Sequence, residues 1–237
     1  MGDQREVPNG VIFLVLGTGI VTTARAMTLS FLAIKLQQTF DLGPATIGFL
    51  LGLGPLMGAF ASPIIGSLSD RQGRRVVLTV VLVSLAFAML GLGLAETVLV
   101  FCIAQSLAAI AISIYTPISR ALISDACPEP LRLKYFSWRY TASNIGWAIG
   151  PLLGIAAGVA STFLFLAGAL IYATLALAMQ LVSLRRVDCA GGGVPSEAPS
   201  MVAGIVAAIR VRRLLCYIGA STLLVAVDGQ WSATLAP

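Results

Sequence analysis

Residues Val76–Ala95 read "VVLTVVLVSLAFAMLGLGLA", twenty positions without a single charge. Wound as an α-helix at about 1.5 Å per residue, they cover the roughly 30 Å hydrocarbon core of a bilayer. A membrane β-strand alternates apolar and polar residues, and this stretch does not. The rest of the chain has the same character. Of 237 residues 58% are hydrophobic and only 11% are charged. Soluble domains carry about 25% charged residues, so a water-facing surface could not be coated. The fold class expected is all-α, a polytopic transmembrane helical bundle whose first partner is the lipid bilayer.

Working outward from Val76–Ala95, six full spans and the start of a seventh are expected. They cover Val11–Leu36, Thr46–Leu68, Arg75–Ala95, Thr97–Ile123, Trp138–Ser161 and Thr162–Leu184, with the seventh from Leu214. The very short connections near Ala95–Thr97 and Ser161 require antiparallel hairpins. "RRVDCAGGGVPSEAPS" is a Gly/Pro/Ser-rich linker, and "MVAGIVAAIRVRR" after it has the pattern of a short amphipathic helix. The expected organisation is a six-helix bundle over 1–184, a linker with a short amphipathic helix over 185–213, and the start of a seventh span over 214–237.

Cations outnumber acids by fifteen to ten. They do not form the clustered basic face of a nucleic-acid binder. With the N-terminus in the cytoplasm, Arg5, Arg71, Arg74, Arg75, Arg120, Arg132, Lys134, Arg139, Arg185, Arg186, Arg210, Arg212 and Arg213 lie on the cytoplasmic side, and only Lys35 lies outside. Cytoplasmic loops are the ones enriched in Lys and Arg. The reading is a multi-pass protein of the cell (inner or plasma) membrane with its N-terminus and central linker cytoplasmic. The four cysteines have no CxxC spacing and histidine is absent, so no metal site or cofactor is expected. No catalytic constellation appears, and no phosphate loop of the GxxxxGK[ST] type, so neither an enzyme nor an ATP-driven pump is expected.

Two stretches echo each other. "LGPLMGAFAS" (Leu53–Ser62) and "IGPLLGIAAG" (Ile149–Gly158) share Gly, Pro, Leu, Gly and Ala in step, ninety-six residues apart. That offset is about three spans, the relation of a three-plus-three inverted repeat. Small residues recur every fourth position at Gly54, Gly58, Ser62 and Gly66, and at Gly146, Gly150, Gly154 and Gly158. Residues four apart share a helix face, and small faces let helices approach closely in lipid. Gly54, Pro55, Gly58, Gly146, Gly150, Pro151 and Gly154 are the packing positions expected. They serve either static contact or a smooth rocking surface with proline kinks.

The turn "GSLSDRQGRR" resembles the signature loop of the major facilitator superfamily between its second and third helices. Gly66, Leu68, Ser69, Asp70, Arg71, Gly73, Arg74 and Arg75 carry the match. "GWAIGPLLG" is similar to the Gly-Pro motif of the exporting, antiport branch. Six spans, a linker and a seventh start fit the same layout, and the pattern resembles bacterial drug-efflux members. The fourth-span Arg-x-x-Gln-Gly pattern of those members is replaced here by "CIAQS", with Cys102 and Ser106 in place of Arg and Gly while Gln105 is kept. The resemblance implies a secondary transporter of two six-helix bundles, with the C-terminal half absent from this chain. It implies alternating access, small-molecule substrates, protons as coupling ion and a gating role for the loop, with Asp125 a partner for one of its arginines. A non-transporting fragment, or a half-transporter that works as a dimer, stays open at this point.

Charges inside hydrocarbon are functional candidates by default. Arg25 lies about 14 residues into the first span, past mid-membrane. Asp228 in "VAVDGQW" lies at comparable depth in the seventh. Arg25 would meet an anionic substrate group or a coupling carboxylate, or serve as a buried structural cation; Asp228 would bind protons. Gln105, Tyr115 and Asn144 are candidate liners of the pathway, and Trp147 and Trp231 candidate stacking platforms.

Overall fold

The computed structural model describes residues 9–158 and 161–181. The linker over 185–213, the seventh-span start over 214–237, Asp228 and Trp231 lie outside the described residues. Among the described residues there are seven α-helices: α1 (Asn9–Leu29), α2 (Leu32–Phe40), α3 (Pro44–Gln72), α4 (Arg74–Gly93), α5 (Val98–Ala126), α6 (Glu129–Ala156) and α7 (Thr162–Leu181).

Local chemistry sets the boundaries. The first predicted span is divided at Ser30–Phe31, and α1 and α2 together form one apolar stretch, Gly10–Phe40. Asp41 ends α2 in the left-handed conformation and donates its N–H to the Gln37 carbonyl. Thr97 caps α5 by accepting from the Val100 N–H at 3.3 Å. A single residue, Gly73, joins α3 to α4 at φ +93°, a region open to glycine and costly for other residues.

Five segments are long and apolar enough to cross a membrane: Gly10–Phe40, Pro44–Ser62, Arg74–Leu94, Val98–Ala126 and Thr162–Leu181. The fifth predicted span is the difference. Its helix, α6, begins at Glu129 rather than Trp138, started by Pro128 as cap and a proline in its first turn. Glu129, Arg132, Lys134 and Arg139 charge its first half, leaving Tyr140–Ala156 as an uncharged stretch of 17 residues. That is the lower limit for a span, and Thr141, Ser143 and Asn144 reduce its hydropathy further.

The main pairings are α1 with α6, α3 with α5, α4 with α7, α4 with α5 and α1 with α7. Counting α1 and α2 as the first span, exchange spans one with four, two with five and three with six. The α1–α6 pair then becomes α5–α3, and α4–α5 becomes α7–α1. The pairing scheme maps onto itself, the relation that the Leu53 and Ile149 echo points to. Buried residues from α1, α2, α4, α5 and α7 form one continuous core. Large apolar side chains face outward, among them Phe60 at 72% and Leu99 at 70% exposure. Such a surface would be an aggregation liability in water and suits lipid.

Glycines set the close approaches. A Cβ on Gly150 would come within 2.9 Å of the Met27 nitrogen and the Thr23 carbonyl on α1. On Gly146 and Gly154 it would come within 2.8 Å of the Gly19 and Met27 carbonyls. On α3, Gly54 faces the Ala109 methyl of α5 at 2.8 Å, and Gly58 faces Ser113. Both glycine faces are therefore consumed by contacts inside this bundle. Gly66 meets nothing within 4 Å among the described residues. Pro55 and Pro151 lie within continuous α-helix, as membrane helices tolerate.

Candidate functional site

Helix α1 carries Thr18, Thr22 and Thr28 buried, their hydroxyls donating to the carbonyls of Leu14, Thr18 and Ala24 at 2.8–3.0 Å. Each thereby satisfies itself on its own helix, and polar side chains can sit in an apolar interior. Thr22 also contacts Ser143 of α6 at 3.2 Å. One turn further along, Arg25 projects into a cavity of about 170 Å³ between helices. Pro55, Gln105, Ser113 and Tyr172 line it together with leucines and Met89. The Arg25 guanidinium stands 5.6 Å from the Trp147 ring centroid, inside the range of cation–π attraction. Tyr172 is fully buried and donates its hydroxyl to the Val21 carbonyl at 3.3 Å.

The cavity occupies the half of the bundle remote from Arg74 and Arg75. Its walls come from the ends of α1 and α4 distant from that turn (Thr28, Leu29, Leu85, Met89, Leu92) and from mid-α5. Gln105, 7% exposed, lines the same cavity as Arg25, and its side chain makes no hydrogen bond among the described residues. The structure thus brings Arg25 and Gln105 to one cavity, with Trp147 beside the guanidinium but outside the cavity lining. Tyr115 is 5% exposed and lines a separate void of about 10 Å³ with Phe13, Leu14 and Met179. Asn144 is on the exposed face of α6.

At the opposite end the signature turn is tied to its neighbours. Arg74, at the start of α4, forms an ion pair with Asp125 at the end of α5. Arg75 donates to the Met179 carbonyl from Nε at 3.1 Å and from Nη2 at 2.7 Å, and to Gln180 at 3.0 Å. It caps the C-terminus of α7, where carbonyls point outward and the helix dipole favours a cation. Gln180 returns a bond to the Thr79 hydroxyl at 3.1 Å, and Arg132 caps α5 at Ser124 and Cys127. Gly73 supplies the positive φ of the turn. The side chains of Leu68, Asp70 and Arg71 lie outside the described residues. Lys35 does the matching job at the other end, donating to the Gly93 carbonyl of α4 at 3.3 Å beside the Phe165 ring.

Arg139, placed above on the cytoplasmic side at the head of the fifth predicted span, is only 7% exposed, with Nη2 donating to the Ser119 hydroxyl at 2.9 Å and Nε without a partner among the described residues. A helix beginning at Glu129 rather than Trp138 carries it inside the bundle. Tyr172 is the other residue the sequence reading passed over. A lone tyrosine in the middle of the apolar α7 was its signal.

The chain's residues 14–236 match the profile of the Major Facilitator Superfamily. The chain belongs to that family. Curated relatives include the uncharacterized MFS-type transporter YqjV of Bacillus subtilis (strain 168), 32% identical over 71% of this chain and 41% of its own length. The Na(+), Li(+), K(+)/H(+) antiporter of Planococcus maritimus is 34% identical over 59% of this chain and 34% of its own. Multidrug resistance protein MdtG of Salmonella typhi is 28% identical over 60% and 35%. The chain thus spans about two-fifths or less of the length of these relatives. Among solved structures, the human organic anion transporter MFSD10 matches with TM-score 0.61 at 20% identity, over 77% of this chain and 48% of that one. That likeness is one of fold. The Major Facilitator Superfamily fold accounts for the exchange-symmetric pairing of its spans and for the position of the Gly73 turn.

Proposed function

We propose that this chain supplies the N-terminal bundle of a secondary active transporter that exports small molecules in exchange for protons by alternating access. The observation that carries the reading is the cavity beside Arg25. Among the described residues, a cation without an ion pair and an amide without a side-chain hydrogen bond line one mostly apolar cavity inside a membrane bundle, a costly placement that marks a functional site by default. Relatives named for cation/H+ antiport and for multidrug resistance support the direction and the coupling ion.

In this reading the arginine-rich end faces the cytoplasm, with the N-terminus and the 185–213 linker on the same side. Arg25 and Gln105 bind cargo inside the bundle, with Trp147 beside the cation. Asp228 of the seventh span takes up and releases the coupling proton. The Arg74–Asp125 pair and the Arg75 cap hold α4, α5 and α7 together at the cytoplasmic end. Asp70 acts as the latch on that end, closing it against a second bundle. Two states separated by a few kcal/mol suffice for such a gate.

The test is accumulation of labelled ethidium, norfloxacin and 4-phenylbutyrate in inside-out vesicles containing the intact protein. Accumulation of at least one compound should collapse with a protonophore and be lost in Asp228→Asn at unchanged protein level. No accumulation of any of them, accumulation indifferent to the protonophore, or full activity of Asp228→Asn contradicts the proposal.

A further inference from the structure

The Arg25 cavity also has a charge preference. The described acidic side chains sit at helix ends: Asp41 after α2, Glu96 between α4 and α5, Asp125 closing α5 and Glu129 opening α6. None is in the interior of a span. Arg25, by contrast, lines an interior cavity with Tyr172, its guanidinium over the Trp147 ring and its side chain without a hydrogen bond or ion pair among the described residues. The Tyr172 hydroxyl spends its proton on the Val21 carbonyl. Thr28 spends its own on α1 carbonyls. The five N–H donors of the guanidinium therefore meet no carboxylate in the described cavity. A cation that meets no carboxylate among the described residues attracts an anion in low dielectric, and a guanidinium engages a carboxylate, sulfonate or phosphonate through two parallel bonds.

The remaining walls fix the rest of the ligand. Leu29, Leu51, Leu85 and Met89 offer only apolar surface, and about 170 Å³ is more than ten times the roughly 10–15 Å³ that one water needs. We infer that the cargo site selects organic anions, one carboxylate-like head on Arg25 with the Gln105 amide as second donor, and an apolar body against the leucine wall. This rests on the reading of the cavity as the cargo site.

Trp147 reports on it through Arg25, whose guanidinium lies over its ring at 5.6 Å from the centroid. The full chain, with Trp138→Phe and Trp231→Phe leaving Trp147 as the only tryptophan, is placed in nanodiscs. It is titrated with 4-phenylbutyrate, 4-phenylbutyramide and 4-phenylbutylamine, which share one body and differ in charge. The acid should change Trp147 fluorescence saturably with an apparent Kd at least tenfold below that of the amide, and the amine should bind more weakly than the amide. Arg25→Gln should bring acid and amide within about twofold, whereas Arg25→Lys should keep part of the preference. The charge series in the parent chain stands even if a variant fails to fold. An acid that binds no better than the amide overturns the inference, and so does an acid preference that survives Arg25→Gln or the lack of any saturable response. Proton-driven accumulation of ethidium alone would overturn it while sparing the transport reading. Saturable acid binding without proton-driven movement would do the reverse.

Discussion

Ser119 gives Arg139 its only hydrogen-bond acceptor among the described residues, and the exposed Arg120 next to it repels the same charge. A buried ion with poor compensation stabilises less than an apolar side chain of similar size, while removing its one partner is costly. Two substitutions at the same contact should therefore move stability in opposite directions. Ser119→Ala should lower unfolding free energy by about 1–3 kcal/mol, whereas Arg139→Met should leave the melting temperature in detergent unchanged or raise it. Thermal unfolding followed by circular dichroism measures both, and a large loss in Arg139→Met would show that the charge is well paired. The contrast between Arg25, half-buried, and Arg139, buried, explains what a sequence can give at this scale. Arg25 was legible because a charge fourteen residues into an apolar run is too deep to be an end charge. Arg139 was not, since the charges from Glu129 to Lys134 disguise a continuous helix as a loop, and depth then cannot be counted from the right residue. Gln105 was legible as a polar group in a span; its convergence with Arg25 depends on which helices touch, and that is not local information.

Helices pack here on glycine, so the cost of a methyl group can be forecast position by position. Gly150→Ala places its Cβ against the α1 backbone at 2.9 Å, where neither atom is a flexible tip, so α1 and α6 must separate. Overpacking of this kind costs about 1–3 kcal/mol. Gly48→Ala on α3 meets nothing within 4 Å and should be neutral or stabilising by up to about 1 kcal/mol through helix propensity. Comparing their melting temperatures tests whether the α1–α6 interface is the close one. Gly73→Ala is a third case: space is open, but φ is +93°, and strain of about 1–3 kcal/mol should appear with no change in packing. Helix existence followed from run length and charge spacing, and the packing faces from the four-residue recurrence of small side chains. The break at Ser30–Phe31 and the early start of α6 were harder, because apolar composition runs across the first and charges across the second.

At the scale of the whole bundle, a self-mapping set of helix pairs holds a mostly apolar cavity with one cation in one half and a pinned basic turn at the other end. If the turn gates access rather than binds cargo, Asp70→Asn should lower turnover several-fold and leave apparent affinity within about twofold. A loss confined to KM would contradict a latch. Family membership was legible in "GSLSDRQGRR", since an acid and two glycines at fixed places in a basic turn do more than topology requires; the cavity was not, because it is assembled from at least five helices. The most direct test of proton-coupled export reconstitutes the intact protein in liposomes loaded with a pH-sensitive dye. The compound that accumulates in vesicles is then applied without any imposed gradient. Wild type should move protons opposite to the compound, with Asp228→Asn showing neither flux; compound movement with no proton movement would contradict the account.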